Sequence, residues 1–446
     1  MKYAIIIADG AADFPLPELN GQTPLEAART PNLDRLARGG AGWGGRVGVA
    51  LTTPPGFGAG SDVCSMSLLG YDPARYHTGR APLEAAAMGL RPGPNDWIFR
   101  LNFVTTSEGG DEARSGRMLD HSAGAISDGE AKELAAALME AWAAHAPELA
   151  RGLTLTHGVS YRCILIDASG RDYNEVTTTP PHEIPGEPWA FHVPVGSGAS
   201  GGRGGPAAAH LAQLMELSRG ALGGHPVNVA RVRAGKRPAN MAWIWGQGLR
   251  PSMPSFYERF GLRGAMITAV DLLAGIASLI GWERLSVPGV TSYHDTDYAV
   301  QGRATCAALD RFDIVCCHVE SPDEASHQGD WKTKVAAIEA IDAHVVGPVM
   351  EHMQRYGDPA REERAEGWRM LVMPDHYTLV STKKHDATPP PLVMAGAWVR
   401  SAVERLFTEA HANESDLSVD PGHELMEYFL FGGLARVGNT VRAGGG

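Results

Sequence analysis

The segment His318-Val-Glu-Ser-Pro-Asp-Glu-Ala-Ser-His327 joins two predicted elements of an α/β fold. Before it, Phe312-Asp-Ile-Val-Cys-Cys317 is an apolar run with the length of a buried strand. After it, apolar residues recur at helical spacing over residues 332–350. Asp323 and His327 are therefore predicted in a loop at the carboxyl end of a strand, the edge at which open α/β sheets bind ligands. An Asp and a His four residues apart can share one metal ion, although the pair equally suits a helix cap and a surface position.

Two further strands are predicted to end in possible metal ligands. Tyr3-Ala-Ile-Ile-Ile-Ala-Asp9-Gly10 and Met370-Leu-Val-Met-Pro-Asp375-His376 each run from an apolar strand into a carboxylate, and His385 follows in a polar loop. An unpaired buried carboxylate is costly, so three strand-end Asp residues with His nearby favour metal binding. Together with Asp323 and His327, these side chains suffice for two divalent cations with three or four N and O ligands each.

A candidate nucleophile lies in Gly58-Ala-Gly-Ser61-Asp62. Its small neighbours would let a phosphoryl group approach the hydroxyl, and a divalent cation lowers the pKa of a hydroxyl and makes it a better nucleophile. A helix is predicted from Asp62 to Leu69, so that backbone N–H groups at its start could help to hold a phosphate. A Gly-Ser-Asp turn on its own is more often a plain helix cap.

The combined pattern resembles the alkaline phosphatase superfamily and, within it, the cofactor-independent phosphoglycerate mutases of archaeal type. The resemblance covers nearly the whole chain. It rests on the residues above and on these motifs: Thr23-Pro-Leu-Glu-Ala-Ala, Thr30-Pro-Asn-Leu-Asp-Arg-Leu-Ala, Leu69-Gly-Tyr-Asp-Pro73, Thr78-Gly-Arg-Ala-Pro-Leu-Glu84, Pro254-Ser-Phe-Tyr-Glu and Pro322-Asp-Glu-Ala-Ser-His-Gln-Gly-Asp330.

The resemblance implies a role for each ligand residue. Asp323, His327 and His385 would bind one metal ion. The second ion would be bound by Asp9, Asp375, His376 and the Ser61 oxygen. Mixed imidazole and carboxylate ligands suit Mn²⁺ or Zn²⁺ better than Mg²⁺. Ser61 would take the phosphoryl group as a phosphoserine and return it to the rotated glycerate, while domain closure excludes water.

The rest of the substrate is expected to contact Arg residues, because the guanidinium fork matches carboxylate and phosphate geometry. His side chains there could move protons or contact phosphate. The substrate-binding candidates are Arg80, Arg100, Asn102, His121, Arg162 and His182.

Four of the motifs resemble a bacterial branch of the family that has been proposed to phosphorylate homoserine. They are Asp120-His-Ser-Ala-Gly, Tyr161-Arg162, Pro180-Pro-His182 and Trp245-Gly-Gln-Gly. Archaeal members tend to carry Asp-Arg-Arg-Ala-Gly-Arg where this chain has Asp120-His-Ser-Ala-Gly-Ala125, so three cations are absent from that stretch.

The expected fold class is α/β: a mostly parallel sheet with helices on both faces, similar to alkaline phosphatase, carrying an inserted smaller α+β domain. The metal-binding domain would comprise residues 1–75 and 236–446, and the inserted substrate-binding domain residues 76–235. The Gly-rich stretch at residues 196–205 is predicted as a flexible surface loop, and residues 438–446 as a disordered tail.

Composition limits the class of partner. The chain of 446 residues has a net charge of −12 and no Lys/Arg run, which argues against nucleic acid and anionic membranes as partners. Its five Cys have no C-x-x-C spacing, so neither a disulfide framework nor a thiolate zinc site is indicated. With no signal peptide and no apolar run long enough to span a bilayer, we expect a cytoplasmic enzyme acting on a small phosphorylated substrate.

The sequence thus favours a phosphoglycerate mutase that interconverts 2- and 3-phosphoglycerate without 2,3-bisphosphoglycerate, through a phosphoserine and two divalent metal ions. A related phosphotransferase with homoserine as acceptor, a metal-dependent phosphomonoester hydrolase and a non-catalytic binding protein on the same scaffold are the alternatives.

Overall fold

A computed structural model of the 446-residue chain describes residues 1–40, 42–107, 116–196, 205–401 and 403–431. The chain divides into two compact units. The first comprises Met1–His77 with Ser252–Gly446, and the second is the continuous segment Thr78–Pro251. Most of the predicted Gly-rich loop and the predicted disordered tail lie outside the described residues.

A mixed sheet forms the centre of the first unit, and five of the seven strand pairings in its described residues are parallel. In spatial order its strands are Glu283–Arg284, Gly264–Ile267, Ile314–Val319, Lys2–Ala8, Trp368–Met373, Pro391–Gly396, Gly44–Ala50 and Ser418–Val419. Three neighbouring strands are almost completely buried. All residues of Ile314–Val319 and Trp368–Met373 are buried, and in Lys2–Ala8 all residues except the first are buried. Such continuous burial is typical of parallel strands, and the α/β class predicted from the sequence is confirmed.

The helices of the first unit follow its strands along the chain. They are Pro24–Ala27, Pro31–Arg38, Ser61–Leu68, Pro73–Tyr76, Phe256–Phe260, Asp271–Leu279, Tyr298–Leu309, Ser321–Gln328, Trp331–Ile341, Gly347–Gln354, Glu409–Asn413 and Leu425–Phe431, with a π-helical turn at Asp342–Val346 and 3-10 turns at Pro17–Leu19 and Gly422–Glu424. A hairpin of Tyr377–Leu379 and Lys384–Asp386 completes the unit. His385 therefore lies in a short strand and not in the predicted loop.

A second prediction about local structure is also wrong. Asp323 and His327 do not lie in a loop, because residues 321–328 form a helix of their own directly after the strand. Pro322 occupies the first turn of this helix, where a missing N–H costs nothing, and Gly329 ends it in the left-handed conformation. The helical spacing of four residues places both side chains on one face.

The second unit is an antiparallel sheet with its own buried core. Its strands are Trp97–Thr106, Met118–Asp120, Leu153–His157, Arg162–Asp167 and Met241–Leu249, with a separate pair Val176–Thr177 and Val195–Gly196. Its helices are Arg80–Ala87, Asp128–His145, Pro147–Ala150, Pro206–Gly223 and Pro226–Arg233, with 3-10 turns at Pro181–Glu183 and Trp189–Phe191.

Residues 241–249, which the expected bounds placed in the metal-binding domain, belong to the second unit. Met241–Leu249 pairs along its length with Trp97–Thr106, because its apolar residues fill the core of that sheet. The second unit thus extends to Pro251, beyond the boundary expected near residue 235. None of the helices in the described ranges has both the length and the apolar character needed to cross a membrane.

Candidate active site

The candidate site of the first unit lies where three adjacent parallel strands end. Lys2–Ala8 pairs with Ile314–Val319 on one side and with Trp368–Met373 on the other, all in the same direction. In this register Ile7 lies opposite both His318 and Met373. The residues that follow these strands are therefore brought together at one edge of the sheet, although more than 300 residues of chain separate Asp9 from Asp375.

The first expected ligand set converges in the structure. His327 Nε2 lies 3.2 Å from Asp323 Oδ2 and 2.9 Å from His385 Nε2, and His385 Nε2 lies 3.4 Å from Asp323 Oδ1. Ligand atoms of all three residues lie within 4.8 Å of one another, an arrangement suited to a metal ion. His327 uses its other nitrogen, Nδ1, to contact the Lys383 carbonyl at 3.0 Å, which orients Nε2 towards the cluster.

The charges of this set favour a cation. Burial alone would raise the pKa of the Asp323 carboxyl, but the hydrogen bonds and charges of the neighbouring imidazoles outweigh it and hold that pKa well below its usual range. The same hydrogen bond to Asp323 raises the pKa of His327 to about 9. A negative carboxylate that draws positive charge onto its neighbours in this way can equally be balanced by a metal ion.

The second expected ligand set converges on one ring nitrogen, Nε2 of His376. His376 Nε2 lies 3.2 Å from Ser61 Oγ, 3.4 Å from Asp9 Oδ1 and 3.4 Å from Asp375 Oδ2. Asp9, Asp323 and His376 also form a group with ligand atoms within 4.8 Å, so that Asp323 lies close to both sets.

Asp9 is fully buried at the end of its strand. Its Oδ1 is buried without a hydrogen-bond partner. Burial and the charges of Asp375 and Asp323 raise the pKa of Asp9 well above its usual range. An orphaned carboxylate oxygen beside an imidazole nitrogen and a hydroxyl fits a divalent cation, so these residues are chemically suited to the second metal ion.

His318 and Glu320 are two site residues that the sequence reasoning did not assign. His318 Nε2 lies 2.8 Å from Asp9 Oδ2 and 3.4 Å from Glu320 Oε2, while its Nδ1 contacts the Thr268 hydroxyl at 3.0 Å. Both residues belong to the segment from which the fold was predicted, and alternate positions at a strand end place them on the same side. That alternation is the signal that could have found them.

Ser61 begins the Ser61–Leu68 helix, as predicted. The residue before it, Gly60, is extended, and a Cβ added there would lie 2.6 Å from Asp62 Oδ1, so a larger residue would require the Asp62 carboxylate to shift. Asp62 accepts a 2.9 Å contact from His77, which anchors the start of the helix. The Ser61 hydroxyl is thus held on a rigid element at the ligand cluster.

The second unit brings together the residues expected to bind substrate. Arg100 forms an ion pair with Glu84 at 3.0 Å, and its guanidinium lies over the Trp245 ring at 4.2 Å. The Trp245 indole N–H donates to Asn102 Oδ1 at 3.2 Å, and the Asn102 amide donates to the His121 carbonyl at 3.4 Å.

The remaining candidates adjoin this group. The His182 ring lies 5.4 Å from that of Trp245 and 6.1 Å from that of His121, which in turn lies 5.8 Å from Tyr161. The Arg162 guanidinium lies 5.6 Å from the Tyr161 ring centre.

Burial and neighbouring positive charges lower the pKa values of two residues in this group, His182 and Arg100. Burial and the charges of Arg100, His121 and Arg80 lower the pKa of His182 to about 4, although the residue is exposed on its outer side. Burial also lowers the pKa of Arg100, and the charges of Arg80 and Arg162 act in the same direction against that of Glu84. Three guanidinium groups therefore lie close enough to influence one another. We call this group, together with Trp245 and Glu84, the arginine cluster: Arg80, Glu84, Arg100, Asn102, His121, Arg162, His182 and Trp245.

Comparison with known proteins points to one family. Residues 44–228 match the family described as 2,3-bisphosphoglycerate-independent phosphoglycerate mutase. A curated protein of that name from Methanothrix thermoacetophila is 42% identical over 97% of this chain and all of its own length. A protein from Geobacter sulfurreducens, named a probable member of the same group, is 40% identical over 96% of this chain and all of its own length.

Two solved structures resemble the whole chain. A protein from Pyrococcus horikoshii has a TM-score of 0.74 at 26% identity and covers 96% of both chains. The cofactor-independent phosphoglycerate mutase from Thermoplasma acidophilum has a TM-score of 0.61 at 26% identity, covering 97% of this chain and 100% of its own. Similarity to these proteins extends over both units of the fold.

Proposed function

The chain belongs to the family of 2,3-bisphosphoglycerate-independent phosphoglycerate mutases, and on that premise we propose that it interconverts 2- and 3-phosphoglycerate through a phosphoserine at Ser61, with two divalent metal ions. The observation that carries this mechanism is the approach of the Ser61 hydroxyl to a ring atom shared with Asp9 and Asp375.

The first unit would be the metal-binding domain of an alkaline phosphatase-like arrangement, and the second its inserted substrate-binding domain. One metal ion would be bound by Asp323, His327 and His385, and the other by Asp9, Asp375, His376 and Ser61. Imidazole with carboxylate ligands favours Mn²⁺ or Zn²⁺. When bound, the ions would supply Lewis-acid stabilisation of the negative charge on the transferring phosphoryl group.

The chain's own residues account for two steps. In the first, Ser61 Oγ attacks phosphorus in line with the departing glycerate oxygen, so that the serine P–O bond forms as the substrate P–O bond breaks. The proton that Ser61 loses balances the one gained by the glycerate alkoxide. In the second step the other glycerate hydroxyl attacks the phosphoserine, and the proton balance is reversed.

The arginine cluster is proposed to bind the glycerate portion of the substrate. Arg100, Arg162 and Arg80 together carry three positive charges against the one carboxylate of Glu84, which already pairs with Arg100. This net positive charge suits a carboxylate and opposes an ammonium group. Because its pKa is lowered to about 4, the His182 ring is neutral at pH 7 and can hydrogen-bond a glycerate hydroxyl without adding charge to the cluster.

The charge of the cluster also bears on the homoserine alternative. Homoserine would bring an ammonium group among the arginines, whereas glycerate brings only hydroxyls and a carboxylate. Asp120, in the stretch that departs from archaeal members, has both carboxylate oxygens engaged: with Ser122, with the Gly124 amide and in a 3.5 Å ion pair with Arg237. It is therefore already satisfied within its own turn, so we favour the mutase.

A product analysis tests this function. The purified protein is incubated with 3-phosphoglycerate and Mn²⁺, without 2,3-bisphosphoglycerate, and the products are followed by ³¹P NMR. We expect 2-phosphoglycerate to accumulate with little inorganic phosphate. Inorganic phosphate alone would indicate a hydrolase. A parallel reaction with ATP and homoserine that yielded phosphohomoserine, with no 2-phosphoglycerate in the first, would favour the kinase.

A further inference from the structure

Thr378 connects the two proposed ligand sets. It lies two residues after His376 in the short strand Tyr377–Leu379, and its side chain is buried. Its Oγ1 lies 2.6 Å from Asp323 Oδ1 and 3.1 Å from His376 Nδ1. One hydroxyl thus contacts a residue of each set.

The direction of these hydrogen bonds follows from the groups involved. A carboxylate can only accept, so Thr378 must donate its single proton to Asp323. The hydroxyl oxygen then has only lone pairs left for His376, and the ring must donate from Nδ1. A neutral imidazole that is protonated on Nδ1 has its lone pair on Nε2, the atom that faces Ser61, Asp9 and Asp375.

We propose that Thr378 is a positioning residue that fixes the metal-binding tautomer of His376 and links its orientation to that of Asp323. The inference rests on the ligand sets of the proposed function. Outer partners of metal ligands act in this way because they set ring orientation and ligand basicity.

Gly10 packs closely against the Thr378 hydroxyl. A Cβ added at Gly10 would lie 2.5 Å from Thr378 Oγ1 and 2.7 Å from Asp323 Oδ1, so a larger residue would displace the hydrogen bond. Gly10 also has a φ of +58°, which glycine adopts without strain. The turn after Asp9 therefore packs directly against the Thr378–Asp323 contact.

A buried lysine holds the backbone of Thr378. Lys334 is fully buried, and its Nζ donates to the Thr378 carbonyl at 2.7 Å, the Ala12 carbonyl at 3.2 Å and Asp13 Oδ2 at 3.0 Å. The Thr378 amide also donates to the Ala12 carbonyl at 3.2 Å. These bonds attach the strand of Thr378 to the loop that follows Asp9, so the hydroxyl has a defined position relative to three ligand-bearing segments.

Metal affinity in the full chain tests the proposal. Thr378→Val removes the hydroxyl at nearly constant shape, whereas Thr378→Ser retains it. Thr305→Val is the matched control, because the Thr305 hydroxyl is also buried but donates to the Gln301 carbonyl in a helix. Mn²⁺ binding to each protein is measured by competition with a chelator of known affinity, and folding is checked by circular dichroism.

We expect Thr378→Val to weaken Mn²⁺ binding about 10- to 100-fold, the usual effect of losing such a partner. Thr378→Ser and Thr305→Val should remain close to the parent protein. Wild-type affinity in Thr378→Val, or an equal loss in Thr378→Ser, would overturn the proposal. If Thr378→Val does not fold, Thr378→Ala replaces it with the same expected loss.

The assay separates this inference from the function on which it rests. A parent protein that binds fewer than two Mn²⁺ ions would refute both. Two ions bound by the parent and by Thr378→Val with equal affinity would refute the role of Thr378 alone. Because the readout is metal binding, neither result depends on the mutase reaction.

Discussion

The Ser61 hydroxyl lies 3.2 Å from Nε2 of His376, a residue 315 positions later in the chain. The contact joins the first residue of a helix to a residue that closely follows a central strand. Asp9 and Asp375 lie within 3.4 Å of the same ring nitrogen. In the proposed mechanism, a serine placed among metal ligands in this way requires no separate general base close to it, and the predictions below follow from that placement.

Replacement of Ser61 by alanine should lower the mutase rate about 10⁴-fold or more, because the covalent step is lost. The fold should be retained. Ser67→Ala is the control, since Ser67 lies on the same helix and its buried hydroxyl has no hydrogen-bond partner. Steady-state rates of 2-phosphoglycerate formation check both variants, and wild-type turnover in Ser61→Ala would exclude the covalent route.

His327→Ala and His376→Ala should each lose one of two bound metal ions, because the two side chains belong to different ligand sets. Metal stoichiometry by mass spectrometry of the dialysed proteins is the measurement. His352→Ala serves as a control, as that ring contacts Asp310 at 3.0 Å and belongs to neither set. Retention of two ions in both site variants would show that the assignment of ligands is wrong.

Arg162→Lys should lower kcat/KM by an amount equivalent to about 1.5–3 kcal/mol, the range for hydrogen bonds to charged groups. Lysine keeps the charge but lacks the planar fork. Arg162→Ala should lose at least as much. The matched control is Arg219→Lys, which alters a half-buried arginine paired with Glu216 in the same unit. Near-parent kinetics in both Arg162 variants would remove this residue from the substrate site and leave Arg80 and Arg100.

Glu409 should make the protein less stable as the pH rises. The buried carboxyl accepts bonds from Thr23 Oγ1 at 2.6 Å and from the Asp13 amide at 3.1 Å, and burial raises its pKa from 4.5 to about 7. Between these two pKa values the folded state binds more protons than the unfolded state, so the free energy of unfolding falls with rising pH.

Because of Glu409, the free energy of unfolding should fall by about 3 kcal/mol between pH 4.5 and pH 7. The glutamine of Glu409→Gln remains neutral, so this variant should lack that pH-dependent loss of stability. We expect denaturant unfolding of the parent protein to lose stability relative to Glu409→Gln between pH 5 and pH 8. A constant difference between the two proteins over this range would contradict the shifted pKa.

The placement of the carboxylates after buried strands could be predicted because each follows an apolar run of strand length, a strictly local signal. The sequence also predicted that the helix starts next to Ser61, since Gly-rich chain precedes a compact run of buried residues. The Ser321–Gln328 helix was missed because Pro322 was taken for part of a loop, whereas proline is well tolerated in the first turn of a helix.

Other features depend on contacts that no local pattern contains. Lys334 reads as a helix-surface lysine, yet it is fully buried, and the distant carbonyl groups of Ala12 and Thr378 accept its protons. Thr378 acquires its role from Asp323, 55 residues away in the chain. The strand Met241–Leu249 pairs within the second unit, whereas the boundary expected near residue 235 left it in the first, because a local sequence pattern does not identify the sheet with which a strand pairs.

The stereochemical course at phosphorus tests the central claim most directly. 3-Phosphoglycerate carrying a chiral [¹⁶O,¹⁷O,¹⁸O]phosphoryl group is converted by the protein in the presence of Mn²⁺, and the configuration of the 2-phosphoglycerate formed is determined by ³¹P NMR. Each in-line transfer inverts phosphorus. Passage through Ser61 comprises two transfers and predicts net retention of configuration. Net inversion would show a single direct transfer and would contradict the phosphoserine mechanism.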